Sequence, residues 1–162
     1  MIWFYEVTEH GFKYNLSDLM ASLGLSQLAK MDRLQARRRE IVERYAEELW
    51  AEDAFELPRA QPEVGHAWHL YLLRLRPGVL RIGRDAFVRE MAARNVGCSV
   101  HFIPVHLHPY YARRLGLAPE AFPVAVREYG RCLSLPLFPA MTDDDVESVI
   151  EAALDVARVH RR

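Results

Sequence analysis

The sequence predicts an α/β fold in which a long helix near the N-terminus packs on a small mixed or antiparallel sheet with further covering helices. Three observations support this prediction. A long amphipathic pattern comes first, short strand patterns then alternate with helix patterns, and a capped helix pattern closes the chain. With 162 residues, the chain fits a single domain over 1–162.

The first thirty residues predict an extended stretch followed by two helix starts. Residues 3–7 are aromatic and β-branched, which is typical of a short strand or extended segment. Ser17 can cap a short helix that ends at Leu23, and we expect Gly24 to interrupt it. Ser26 can then cap the long helix.

The long helix is predicted from apolar residues that recur three, four and seven positions apart. These residues are Leu28, Met31, Leu34, Ile41, Val42, Tyr45 and Leu49. Charged residues fill the remaining positions, and the run Arg37 to Arg39 is expected to form a solvated face. The segment is therefore predicted to pack one side on a sheet.

Beyond the long helix, strand and helix patterns alternate. Strands are predicted at 66–76, 98–103 and 132–135, and helices at 84–95 and 109–115. Pro119 opens another surface segment, lined on one side by Phe122, Val126 and Tyr129. Thr142 and Asp145 form a capping box that predicts the start of the closing helix.

Composition excludes several functional classes. The net charge is 21 − 22 = −1 with no block of like charge, so nucleic acid is not an expected partner. No stretch of about 18 apolar residues occurs and the N-terminus lacks a secretory pattern, so no membrane partner is expected. Cys98 and Cys132 do not form a CxxC motif, which favours the reducing cytoplasm.

The histidines suggest two kinds of site, each with an ordinary explanation. His101, His106 and His108 lie close in sequence, yet no HExxH motif or recognised ligand spacing accompanies them, so a metal is not predicted. Cys98 and His101 could form a nucleophile pair. Alternate residues of a strand point to opposite faces, so the two side chains are expected to diverge.

The segment 11–18 is a turn rich in hydrogen-bonding side chains, directly ahead of a predicted helix N-terminus. Such a place suits an anion. A turn that only caps the helix explains the same residues, and both interpretations remain open at this point.

Several of these stretches together resemble one known family. The matching segments are 3–7, 11–28, 37–41 with Tyr45, 66–71, 94–97, 100–110 and 133–139. They resemble the DegT-type (DnrJ/StrS-like) family of sugar aminotransferases over essentially the whole chain.

The resemblance implies the small C-terminal domain of a fold-type-I aminotransferase, which packs over a large domain that holds pyridoxal 5'-phosphate. Members usually move an amino group from glutamate to a nucleotide-linked keto-sugar, in polysaccharide or amino-sugar biosynthesis. The cofactor performs the organic chemistry in such enzymes, and the protein positions it.

The resemblance also implies roles for five residues. Asn15, or Lys13 beside it, matches a position that reaches across a dimer to the cofactor phosphate of the partner. His101, His106 and Tyr110 match a strand and loop that border the sugar substrate, although each could equally be a packing residue.

No catalytic residue is assigned, because the chain has only Lys13 and Lys30 as lysines and neither matches the lysine that forms the family's internal imine. The expectation is a chain without the large cofactor-binding domain, inactive alone, that associates as a homo-oligomer or with an N-terminal half. The alternative is a non-catalytic module that keeps the fold and binds a sugar nucleotide or a protein.

Overall fold

The structure is a computed structural model that describes residues 3–162. It divides into two compact units, one ending at Arg33 and the other spanning Leu34–Arg162.

The first unit consists of an extended stretch followed by helix α1, Asp18–Leu28. Ser17 caps this helix, because its Oγ accepts the amide of Met20 at 3.4 Å. Residues 3–7 form no strand, since no neighbouring strand in the unit supplies hydrogen-bond partners. None of the residues of α1 is buried.

The predicted break at Gly24 and the predicted cap at Ser26 are both wrong. Helix α1 continues through Gly24 to Leu28, and a turn at Ala29 and Lys30 separates it from α2. A single glycine costs a helix only about 1 kcal/mol relative to alanine, which the flanking helix-forming residues outweigh. Ser26 therefore lies inside α1.

Helix α2, Met31–Leu49, confirms the predicted long helix. In the second unit its buried face consists of Ile41, Val42, Tyr45 and Leu49, four residues of the predicted stripe. The arginine run is not the solvated face that was expected. Arg37 donates to the Asp143 carboxylate at 2.7 Å, and Arg38 donates to the Leu137 carbonyl at 3.2 Å.

The sheet is antiparallel and has three strands in the order β1-β2-β3, which confirms the antiparallel form of the predicted fold. The strands are β1 at Phe55–Glu56, β2 at Tyr71–Leu75 and β3 at Cys132–Leu135. Tyr71 pairs with Leu135 and Leu73 with Leu133, so their side chains face the core together.

Strand β3 matches its prediction, whereas the other strand predictions need correction. Strand β2 is shorter than the predicted 66–76, and β1 was not predicted because two residues are too few to show a period. The predicted strand 98–103 is wrong, since it makes only one bridge, Ser99 to Ser134. Strand β3 ends before Pro136 and offers too short an edge for a longer ladder.

The remaining helices of the second unit are α3 at Arg84–Ala93, α4 at Pro109–Leu115, α5 at Pro123–Tyr129 and α6 at Asp143–Val159. Short 3-10 turns occupy Val105–Leu107 and Pro119–Ala121. The capping box is confirmed, with Thr142 and Asp145 exchanging hydrogen bonds of 3.1 and 2.8 Å. In residues 3–162 no helix has the length and apolar character needed to cross a membrane.

The core of the second unit lies between the sheet and helices α2, α3 and α6. Its largest fully buried side chains are Tyr45, Tyr71, Phe87, Ile41, Leu49, Leu73, Met91, Leu133 and Ile150. Tyr45 and Tyr71 meet edge to face with ring centroids 5.0 Å apart, and Phe55 meets Phe87 in the same way at 5.9 Å. Edge-to-face pairs add to the stabilisation from burial alone, so these rings hold α2 and α3 on the sheet.

Candidate functional site

The candidate phosphate contacts lie in the first unit. Lys13 and Asn15 are both exposed, in the extended stretch that leads to the Ser17 cap. Neither side chain makes a hydrogen bond or ion pair within residues 3–162, so the ammonium and amide groups are available as donors. Both groups suit a phosphate, since ammonium and amide N–H groups are common phosphate donors.

His101 lies beside the middle of strand β3 in the second unit. Its Nδ1 is 2.8 Å from the hydroxyl oxygen of Ser134, a residue of β3 that is only 4% exposed. This contact fixes the plane of the half-buried imidazole and leaves Nε2 for another partner.

His106 is buried within the 3-10 turn Val105–Leu107. Its ring packs against Phe122 with centroids 4.6 Å apart. Its Nε2 is fully enclosed and has no hydrogen-bond partner within residues 3–162. A buried polar atom without a partner is costly, and such an atom at this position is suited to a polar group of a ligand.

Tyr110 stands in the first turn of α4 and is 61% exposed. Its ring meets Tyr111 edge to face at 5.1 Å, which leaves the phenol exposed. His101, His106 and Tyr110 thus lie along the ten-residue segment 101–110 of the sequence. Within the described residues, no hydrogen bond or ring contact joins any two of the three.

The sequence did not predict Ser134 as the hydrogen-bond partner of His101. Ser134 faces His101 across 33 positions of sequence. The available signal was a hydroxyl residue between two leucines on a short buried strand, Leu133 and Leu135. That pattern indicates a buried polar group with a partner, although it does not identify the partner.

The geometry around the histidines and Cys98 bears on the metal and nucleophile sites that their pattern suggests. In the part of the chain that the structure describes, no three side chains of His, Cys, Asp or Glu are grouped to hold a metal. His101 directs its Nδ1 to Ser134. Burial raises the pKa of the Cys98 thiol from 9.0 to about 11, which opposes formation of the thiolate nucleophile.

Cys98 is therefore expected to resist alkylation. With a pKa of about 11 instead of 9.0, the fraction of thiolate at pH 8 is about 100-fold lower than for an unshifted thiol. We expect iodoacetamide to modify Cys98 in a Cys132→Ser variant about 100-fold more slowly in the folded protein than in urea. Mass spectrometry would follow the reaction, and equal rates in the two states would contradict the assigned burial.

Solved structures that this chain resembles include sugar aminotransferases. Spr1654 from Streptococcus pneumoniae, a sugar aminotransferase by its name, superimposes in its pyridoxal phosphate form with a TM-score of 0.83 and 29% identity. The match covers 97% of this chain and 40% of that one. A pyridoxamine phosphate form of the same protein also matches, with a TM-score of 0.83. These forms confirm the cofactor predicted for the family.

The chain belongs to the DegT/DnrJ/EryC1/StrS aminotransferase family, whose model matches residues 3–154. The spore coat polysaccharide biosynthesis protein SpsC of Bacillus subtilis is 43% identical over 157 residues, which are 96% of this chain and 40% of SpsC. The protein MJ1066 of Methanocaldococcus jannaschii is 43% identical over 159 residues, 98% of this chain and 41% of its own length. The chain thus spans about two fifths of the relatives it matches.

Proposed function

We propose that this chain is the C-terminal portion of a pyridoxal-phosphate-dependent aminotransferase that acts on a nucleotide-linked keto-sugar in polysaccharide or amino-sugar biosynthesis. The observation that carries the proposal is the family match over residues 3–154, in a chain that spans about two fifths of its relatives. The proposal includes the single domain predicted over 1–162, a cytoplasmic location and a homo-oligomer.

Within this proposal, Lys13 and Asn15 bind the phosphate of a cofactor held by another subunit. Both are exposed donors in an extended stretch, so they can reach a neighbouring molecule. When bound, the cofactor supplies the electron sink needed to move an amino group. The contribution of these two residues is to hold it by charge and hydrogen bonds.

His101, His106 and Tyr110 border the sugar. Ser134 holds the His101 ring in one plane, so that Nε2 can meet a sugar oxygen in a fixed direction. The imidazole of His106 borders the sugar in the same segment, and its Nε2 has no hydrogen-bond partner among the described residues. The exposed phenol of Tyr110 is able to donate or accept at the edge of the site.

The 162-residue chain is inactive by itself in this proposal. Its two lysines are Lys13, assigned to phosphate, and Lys30, an exposed residue between α1 and α2. Transamination needs a lysine that forms an imine with the cofactor, and neither residue matches the lysine that does so in the family. A cofactor imine absorbance of the isolated chain, together with glutamate-dependent amine formation, would overturn this part.

A chimera tests the assigned function. The region of SpsC that matches this chain is replaced by residues 3–162, and pyridoxal phosphate binding and its conversion by glutamate are followed by absorbance. We expect the chimera to bind and convert the cofactor. Lys13→Ala or Asn15→Ala should weaken cofactor binding about tenfold, through loss of one charge-assisted hydrogen bond.

Lys30→Ala is the matched control, because Lys30 is the other exposed lysine of the first unit and has no assigned contact. It should leave cofactor affinity unchanged. Equal losses in the Lys13 and Lys30 variants would indicate a general charge effect and would remove the assignment of Lys13. A folded chimera that binds no cofactor would favour the non-catalytic module instead.

A further inference from the structure

A pocket of about 420 Å³ opens in the second unit where strand β2 ends. Among the described residues, its wall contains no acidic residue and six arginines: Arg76, Arg81, Arg84, Arg127, Arg131 and Arg162. Leu80, Ile82 and Val126 supply an apolar part of the lining. The volume is in the range of small-molecule sites, and the charge of the wall is of one sign.

Three of these arginines are fixed in place without being neutralised. Arg76 donates Nε to the Phe55 carbonyl at 3.0 Å, Arg81 donates Nη2 to the Val159 carbonyl at 2.8 Å, and Arg162 donates Nε to the Leu80 carbonyl at 3.1 Å. Within residues 3–162 none of the three forms an ion pair with a carboxylate. Their remaining N–H groups are available to a ligand.

Asp53 feels the charge of Arg76 without neutralising it. Asp53 binds Arg161, and that hydrogen bond is the main reason that the pKa of its carboxyl is lowered. The charge of Arg76 adds to the lowering from a longer distance, without an ion pair. Arg76 thus keeps its guanidinium for the pocket.

The other three arginines are matched by carboxylates and shape the wall. Arg84 is 94% buried by side chain, donates Nη1 to the Cys132 carbonyl at 3.0 Å and pairs with Asp85. Its guanidinium lies over the Tyr129 ring at 4.8 Å. Arg127 and Arg131 pair with Glu128. A buried, hydrogen-bonded arginine makes the floor of the pocket rigid.

Helix α3 points its N-terminus toward the same pocket. Gly83, the N-cap of this ten-residue helix, lines the wall and provides no side-chain cap. The first amide N–H groups of a helix lack intrahelical partners, and the helix dipole favours a negative charge there. The uncapped amides therefore add to the attraction of the three unpaired guanidiniums.

We propose that this pocket binds a phosphate-bearing small organic molecule through residues other than those assigned to the cofactor and the sugar. Planar guanidinium forks match the oxygen geometry of phosphate, and Leu80, Ile82 and Val126 contact the organic part of the ligand. Lys13, Asn15, His101, His106 and Tyr110 take no part in the lining. The site lies past the last residue of β2, at the end of the sheet where Arg74 pairs with Cys132.

Inorganic pyrophosphate is the probe for this site. Calorimetric titration of the 162-residue chain at constant ionic strength should give saturable binding with one site per chain. The double variant Arg76→Gln, Arg81→Gln should weaken it at least about tenfold, because two charge-assisted contacts are lost. Arg89→Gln is the control, since Arg89 is exposed on α3, carries the same charge and lies outside the pocket wall.

The results that would overturn the proposal are distinct. A pyrophosphate titration whose binding heats do not saturate would mean that general surface charge attracts the anion. The same would follow if Arg89→Gln weakened binding as much as the double variant does. Binding to vesicles containing anionic phospholipid, or to a DNA duplex, without binding of free pyrophosphate would assign the arginines to a macromolecular surface instead. Circular dichroism of the double variant establishes that it is folded.

Discussion

Replacing Tyr71 by alanine is expected to lower the free energy of unfolding by about 3–5 kcal/mol. Tyr71 begins β2, is fully buried and packs edge to face on Tyr45 of α2. Its removal leaves a cavity between the sheet and the long helix. Since domains of this size are stable by only about 5–15 kcal/mol, the variant should lose roughly 10 °C or more in Tm.

Urea denaturation followed by circular dichroism measures this effect, and Tyr111→Ala provides the control. Tyr111 is 43% exposed on α4, so its truncation should cost less than about 1 kcal/mol. Similar losses in the two variants would mean that Tyr71 does not hold α2 on the sheet.

Phenylalanine substitutions at the two core tyrosines test the role of each hydroxyl group separately. The Tyr71 hydroxyl is buried and has no hydrogen-bond partner in residues 3–162, whereas the Tyr45 hydroxyl donates to the Pro136 carbonyl at 2.8 Å. Tyr71→Phe should therefore be neutral or slightly stabilising, and Tyr45→Phe should cost about 1 kcal/mol. The reverse order would contradict the hydrogen-bond assignment.

Local patterns in the sequence were sufficient for most helices. The apolar stripe of α2 and the capping box of α6 each depend on residues within a few positions, and both were predicted correctly. The bounds of α4 and β3 were also correct, because Pro109 starts one element and Pro136 ends the other.

Errors arose where distant residues decide the outcome. The stretch 98–103 has the composition of a strand, yet whether it becomes one depends on the free edge of β3, some 30 positions later. Arg37 and Arg38 look like a solvated run by local charge, but their partners lie near the start of α6. The pocket arginines are scattered from Arg76 to Arg162, so no local pattern could group them.

Replacing His106 by leucine is expected to stabilise the chain while impairing the proposed enzyme. The Nε2 of His106 is buried with no hydrogen-bond partner among the residues that the structure describes, and a buried unsatisfied polar atom costs about 1–3 kcal/mol. Leucine has a similar size and no polar atom, so the free energy of unfolding should rise by about 1 kcal/mol. The ring contact with Phe122 becomes an aliphatic contact.

In the SpsC chimera, the same substitution should lower kcat/KM for a nucleotide-linked keto-sugar about 10- to 100-fold, the equivalent of one hydrogen bond to the substrate. The glutamate half of the reaction should be unaffected, because His106 is assigned to the sugar and not to the cofactor. His108→Leu is the matched control, since His108 follows the same 3-10 turn and is exposed.

The two measurements separate a binding role from a packing role. If His106 serves only for packing, the leucine variant should lose neither stability nor activity, because the apolar side chain fills the space without an unpaired nitrogen. A histidine that meets the sugar must destabilise the free chain and support catalysis at once. Higher stability with unchanged sugar turnover would therefore remove His106 from the proposed site, and leave His101 and Tyr110 to border the substrate.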